Sequence, residues 1–118
     1  MPKIMVVDDA QFMRVRLTKL LTGNGFEVVE AENGEEAVQK YQAETPDAVL
    51  MDITMPQKDG LEALSEIKSF DANARVIMLT ALGQESMVVQ AVQAGAKDYV
   101  VKPFDPNRVM MALQKILA

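Results

Sequence analysis

An open, doubly wound α/β sheet is the fold class this sequence predicts, and three observations carry that prediction. Short β-branched or apolar runs alternate with amphipathic segments five times over, four of the five runs are continuously apolar, and the amphipathic segments have recognisable ends. Regular strand–helix alternation implies a parallel sheet with right-handed crossovers and helices on both faces. Five strands are too few to close an eight-stranded barrel, so the sheet stays open.

The first strand is expected at 3–8 (KIMVVD). A helix over 10–22 follows, with Phe12, Val15, Leu17, Leu20 and Leu21 as its apolar residues and Gly23 and Gly25 as its stop. Arg14, Arg16 and Lys19 read as the solvated face of that helix. The second strand, 26–30 (FEVVE), is the only one polar enough to be half-exposed. The helix over 34–44 starts at Asn33 with Glu36 three residues on, a capping box, and turns Ala37, Val38 and Tyr41 inward. After the third strand, 47–52 (DAVLMD), the run Asp59-Gly60-Leu61-Glu62 repeats that device ahead of Leu64 and Ile67. The fourth strand, 75–80 (RVIMLT), leads to a helix over 84–94 that ends at Gly95. The fifth, 98–102 (DYVVK), leads to a helix over 106–117 opened by Asp105 and Pro106. Apart from the second, the strands are apolar enough to be covered on both faces. Met5, Met51 and Met78 read as core filler, and Met87, Val88, Met110 and Met111 as helix core with some adaptable surface.

At 118 residues, 49% apolar and 25% charged, the chain has the size and composition of one globular domain, expected to span 1–118 without a linker. The longest apolar run, 109–113, is far shorter than the roughly 18 residues a membrane span needs, and no signal segment opens the chain. A cytoplasmic protein without membrane association is therefore expected. With no cysteine and no histidine, thiolate metal sites, disulfides, Ser-His-Asp triads and imidazole acid–base chemistry are excluded. A formal net charge of −5 argues against nucleic acid as the partner.

The polar residues concentrate where the strands end. The first strand ends in Asp8-Asp9, the third in Asp52, the fourth in Thr80 and the fifth in Lys102. Ligands of open α/β sheets bind beyond those carboxyl ends, where strand order reverses. If the first and third strands are neighbours, Asp8, Asp9 and Asp52 converge, and each pair of carboxylates repels by about 4 kcal/mol at an effective dielectric of about 20. A divalent cation is the simplest compensation, and an all-oxygen set with few protein ligands favours Mg²⁺. Mg²⁺ beside a carboxylate, a hydroxyl and a lysine suits phosphoryl transfer, in which the carboxylate itself is the nucleophile. Asp52 stands alone after its strand and is the candidate phospho-acceptor, Asp8 and Asp9 are candidate metal ligands, and Thr80 can donate to a phosphoryl oxygen. Taken singly these residues have simpler roles: Asp9 as a helix N-cap, Asp52 as a turn residue, Thr80 as a strand-end hydroxyl and Lys102 as a surface cation. Their joint occurrence at four of five strand ends is what favours a site.

The motifs VVDD at 6–9, MDITMPQKDG at 51–60, LTA at 79–81 and AGAKDYVVKPF at 94–104 resemble those of the receiver domain of two-component response regulators, over essentially the whole chain. That resemblance implies a flavodoxin-like (βα)5 fold with strand order 2-1-3-4-5. It implies that Asp52 accepts the phosphoryl group, that Asp9 ligates Mg²⁺ directly while Asp8 acts through water, and that the backbone carbonyl of Thr54 is a further ligand beside Asp52. It also implies that Thr80 and Lys102 hold the phosphoryl group, that Tyr99 changes rotamer with Thr80, and that the Lys102–Pro103 peptide bond is cis. The donor would be a histidine kinase, and the protein a signalling switch that catalyses only its own phosphorylation and dephosphorylation.

DAQFMR at 9–14, DITMP and the stretch 81–104 are most similar to stand-alone chemotaxis regulators, which implies a monomer with no output domain. Its kinase would be a chemotaxis histidine kinase, and its target the flagellar motor switch, bound through the fourth helix, fifth strand and fifth helix. A phosphatase is a further possible partner. A single-domain phosphorelay carrier would share every site residue and stays open as the alternative. Thr54 and Leu82 stand where the enteric pattern has asparagine and glutamate; both flank the path of the hydrolytic water, which leaves the lifetime of the acyl phosphate open. Asp52-Ile53-Thr54 also resembles the haloacid-dehalogenase phosphatases, but these usually need a second aspartate where Thr54 stands. A flavodoxin is disfavoured because Asp8-Asp9 would repel its flavin phosphate.

Overall fold

Side chains alternate along a strand, and here that alternation sorts the apolar residues into two cores on opposite faces of one sheet. The computed structural model describes residues 1–118, with β1 (Lys3–Val7), α1 (Gln11–Gly23), β2 (Glu27–Ala31), α2 (Gly34–Glu44) and β3 (Ala48–Asp52) in its first half. The second half continues with α3 (Gly60–Phe70), β4 (Val76–Thr80), α4 (Glu85–Gln93), β5 (Asp98–Val101) and α5 (Pro106–Leu117). All strands pair in parallel in the order β2-β1-β3-β4-β5. Met5, Val7, Val49, Met51, Val76 and Met78 pack against α2, α3 and α4. Ile4, Val6, Ala48, Leu50, Ile77 and Leu79 pack against α1 and α5. The expected alternation and fold class are thus observed, and no helix is long and apolar enough to cross a membrane.

The termini follow their local chemistry. Asp59 accepts from the Glu62 amide while Glu62 reaches back to the Asp59 amide, closing the expected capping box. Asn33 likewise accepts from the Glu36 amide, but the Glu36 carboxylate accepts from Glu32 rather than from Asn33, so only half of that box forms. Asp105 accepts from the Asn107 amide, with Pro106 in the first turn of α5.

Two expectations need correction. Strand β5 is not covered on both faces: it is an edge strand whose Val100 is buried against α5, while Tyr99 (42%) and Val101 (40%) on the opposite face are exposed because α4 does not close over them. The inward face of α1 is also rotated from the one expected. Phe12 (64%) and Val15 (41%) are exposed, and the buried residues are Met13, Arg14, Leu17 and Leu21. Arg14 therefore does not belong to a solvated face. Its guanidinium donates to the Asp8 carbonyl oxygen at 2.7 Å and pairs with Glu30 and Glu32 at 3.3 and 3.4 Å. A buried cation without such partners would cost several kcal/mol, on the order of 3–5, so these bonds are what allow it inside. Arg16 stays outside, over the Phe104 ring at 5.1 Å.

Candidate functional site

The sheet register brings the charged strand ends together. Val7 of β1 pairs with Met51 of β3, so Asp8 and Asp52 stand side by side one step further on. Thr80 of β4 pairs with Val101 of β5, which puts Lys102 immediately beyond Thr80. Alternation then decides direction: Asp8, Asp52 and Lys102 continue the face of Val6, Leu50 and Val100, whereas Thr80 and Tyr99 continue the face covered by α4. The loop after β3 turns back tightly on Asp52. The Gly60 amide donates to the Ile53 carbonyl at 2.7 Å, and a Cβ on Gly60 would lie 2.1 Å from the Asp52 carbonyl oxygen. Only glycine fits there.

Within this cluster the Lys102 ammonium lies 3.1 Å from Asp8 Oδ2 and 3.1 Å from Asp52 Oδ1. Asp8 is 1% exposed, and its other oxygen accepts from the Ala10 amide at 2.9 Å. Asp9 is exposed and does not cap α1, whose N-cap is Ala10. Carboxylate oxygens of Asp8, Asp9 and Asp52 lie within 4.8 Å of one another. Burial pushes the Asp52 carboxyl above its ordinary value; Lys102 opposes that shift, and the Asp8 and Asp9 charges add to it. Burial alone would lower the Lys102 ammonium, but the Asp52 and Asp8 charges hold it above its usual value. One ammonium leaves three carboxylates only partly balanced. A partly open, all-oxygen set with this charge deficit fits a hard divalent cation such as Mg²⁺.

The remaining candidates lie around the mouth of the cluster. Thr80 is 2% exposed, and its hydroxyl donates to Gln84 Oε1 at 3.0 Å. Gln84 Nε2 donates in turn to the Thr54 hydroxyl at 2.6 Å. Tyr99 points outward beside a groove of about 400 Å³, lined also by Thr80, Val88, Val89 and Val101. The Lys102–Pro103 peptide bond is cis.

The response regulator receiver domain family matches residues 4–114 of this chain. The chain belongs to that family. Among similar proteins, the chemotaxis protein CheY of Bacillus subtilis is 59% identical over 98% of this chain and 97% of its own length. The CheY of Thermotoga maritima is 51% identical over 97% and 96%. In a crystal structure of a CheX-CheY-BeF3-Mg²⁺ complex from Borrelia burgdorferi, a chain 42% identical superposes with a TM-score of 0.93, covering 98% of this chain and 89% of that one. The receiver is accordingly a signalling domain of the chemotaxis-regulator type, and its acidic cluster is compatible with Mg²⁺.

Two residues of the receiver site escaped the sequence reading. Arg14 anchors the Asp8 carbonyl from inside α1, and its signal was present: positions 14, 17 and 21 have helical spacing and face the same core. Gln84 bridges Thr54 and Thr80 from a loop without periodicity, where no pattern marked it.

Proposed function

We propose that this receiver is a phospho-accepting switch with Asp52 as the acceptor. The observation that carries the reading is the Lys102 ammonium held 3.1 Å from both Asp8 and Asp52 inside an otherwise acidic cluster at the strand ends. An Asp52 oxygen attacks the phosphorus of a phosphohistidine, the phosphorus–nitrogen bond breaks, the imidazole leaves, and Asp52 becomes an acyl phosphate. Lys102 balances charge on the transferring group, and the Thr80 hydroxyl afterwards donates to a phosphoryl oxygen. Asp9, Asp52 and the Thr54 carbonyl would hold Mg²⁺. Asp8, whose two oxygens already accept from Ala10 and Lys102, acts indirectly. When bound, Mg²⁺ supplies charge neutralisation at the transferring oxygens. Water later hydrolyses the acyl phosphate.

The output in this reading is a change of surface. As Thr80 turns toward the phosphoryl group, Tyr99 leaves its exposed position and fills the adjoining groove. The exposed apolar residues Val89, Val92, Tyr99, Val101 and Met111 then present a different face on α4, β5 and α5. Similarity to chemotaxis regulators supports a chemotaxis histidine kinase as donor and the flagellar motor switch as target, with a phosphatase as a further partner. The reading also takes residues 1–118 as one cytoplasmic domain whose signal leaves through that surface.

The test is acetyl phosphate with Mg²⁺, read by intact mass. A gain of one phosphoryl group that a chelator prevents is expected, and no gain at any Mg²⁺ concentration would count against the reading. Thr80→Ala should reach the same mass. Once phosphorylated it should bind a motor-switch N-terminal peptide no more tightly than its unmodified form, as measured by fluorescence anisotropy. Normal tightening would remove Thr80 from the switch.

A further inference from the structure

The side-chain amide of Gln84 spans the mouth of the site and touches both of its flanking threonines. Its Oε1 accepts from the Thr80 hydroxyl at 3.0 Å and from the Ala81 amide at 2.7 Å, and its Nε2 donates to the Thr54 hydroxyl at 2.6 Å. The Ala81 amide settles which way the group points. A backbone N–H can only donate, so the atom 2.7 Å from it is the carbonyl oxygen and not the NH₂. Because that oxygen only accepts, Thr80 must be the donor. The one proton of the Thr80 hydroxyl is thereby directed at Gln84, with the Ala81 carbonyl a longer alternative at 3.3 Å. A hydroxyl whose proton points at Gln84 cannot donate it to a phosphoryl oxygen on Asp52 without first breaking that bond.

We propose that Gln84 is a positioning residue that latches Thr80 to Thr54, holding the Thr80 hydroxyl out of the carboxylate cluster until Asp52 carries a phosphoryl group. The inference rests on the switch reading above and adds the contact that opposes the switch. Thr54 is the anchor because it belongs to the β3–α3 loop, whereas Thr80 ends β4 and Ala81 and Gln84 lie between β4 and α4. The amide therefore ties the loop beside Asp52 to the segment that moves. Gln84 sets how far the resting equilibrium favours the off state, and its loss shifts the equilibrium toward on.

Gln84→Met keeps the length of the side chain and removes all three hydrogen bonds. Thr54→Val cuts the bridge from its other end without touching α4. With beryllofluoride and Mg²⁺ as a phosphoryl mimic, each variant should bind about threefold to tenfold more tightly than the parent, the range that loss of one ordinary hydrogen bond allows. The double variant should gain little beyond either single change, since both remove one latch. A second readout needs neither metal nor mimic. Three-bond couplings in threonine-labelled protein should report one χ1 rotamer for Thr80 in the parent and averaged rotamers in Gln84→Met.

Unchanged couplings and unchanged beryllofluoride affinity in both single variants would overturn the latch, as would fully additive gains in the double variant. If the parent itself bound no beryllofluoride, the switch reading would fall. The couplings would still decide whether Gln84 restrains Thr80. Thermal unfolding of each variant establishes that it is folded, and because the two substitutions lie on different loops, failure of one leaves the other to decide.

Discussion

Asp52→Asn is expected to abolish phosphorylation by acetyl phosphate and Mg²⁺ while making the protein more stable. Loss of label follows because an amide cannot supply the attacking oxygen, and intact mass should show no phosphoryl gain. The stability gain follows from the surroundings of Asp52. It is 6% exposed, and burial is the largest cause of its raised pKa, outweighing the attraction of Lys102. Asparagine keeps the shape and removes the buried charge, and Lys102 retains its contact with Asp8. Relief on the order of 1 kcal/mol raises Tm by about 4 °C in a domain of this size. The pH dependence has a definite sign. A carboxyl whose folded pKa lies above its ordinary value of 3.8 binds its proton more tightly in the folded state. Its destabilising effect is absent below the ordinary value, grows as pH rises, and is complete above the raised folded value. The stability gap between Asp52→Asn and the parent should therefore close on acidification and be widest near neutrality. A variant less stable than the parent at neutral pH would show that the Lys102 attraction outweighs burial.

Opposite effects on labelling and stability would mark Asp52 as a residue kept for chemistry rather than for folding. Local pattern and three-dimensional packing also divide what is legible in this sequence from what is not. Periodicity exposed the five strands, and the strand-end position of Asp8, Asp52, Thr80 and Lys102 exposed the site, because both are one-dimensional patterns. Strand order was available only through family resemblance. Exposure of Tyr99 and Val101 on β5 depends on how far α4 reaches across an edge, which no local pattern encodes. Arg14 was misplaced for a different reason: charge suggested solvent, whereas helical spacing with Leu17 and Leu21 pointed inward. Its three polar partners come from the β1–α1 loop, β2 and the residue that follows β2. Gln84 is the clearest case, since its partners lie 4 and 30 residues away, one at the end of β4 and the other in the β3–α3 loop.

Lys102→Met is the second substitution with a large expected effect, and it should move metal affinity and stability in opposite directions. The ammonium is the cation paired with the carboxylates of Asp8 and Asp52, at 3.1 Å from each. Methionine preserves much of the apolar stem and removes the charge, leaving a buried Asp8 without its counter-ion. In the absence of divalent cation the loss should be about 2–3 kcal/mol, a drop of about 10 °C in Tm, somewhat below the cost of breaking a fully buried pair because Lys102 is partly exposed. Mg²⁺ would share the Asp52 carboxylate with this ammonium and be repelled by it, so removal of the ammonium strengthens the field at the metal position. Affinity for Mg²⁺ should rise about tenfold, which corresponds to about 1.4 kcal/mol, and saturating Mg²⁺ should restore much of the lost stability. Phosphorylation by acetyl phosphate should nevertheless slow, because charge on the transferring group is then balanced by the metal alone. Metal titration followed by thermal unfolding measures the first two effects, and intact mass against time the third. Weaker Mg²⁺ binding in Lys102→Met would mean that the ammonium orders the carboxylates for the metal instead of competing with it.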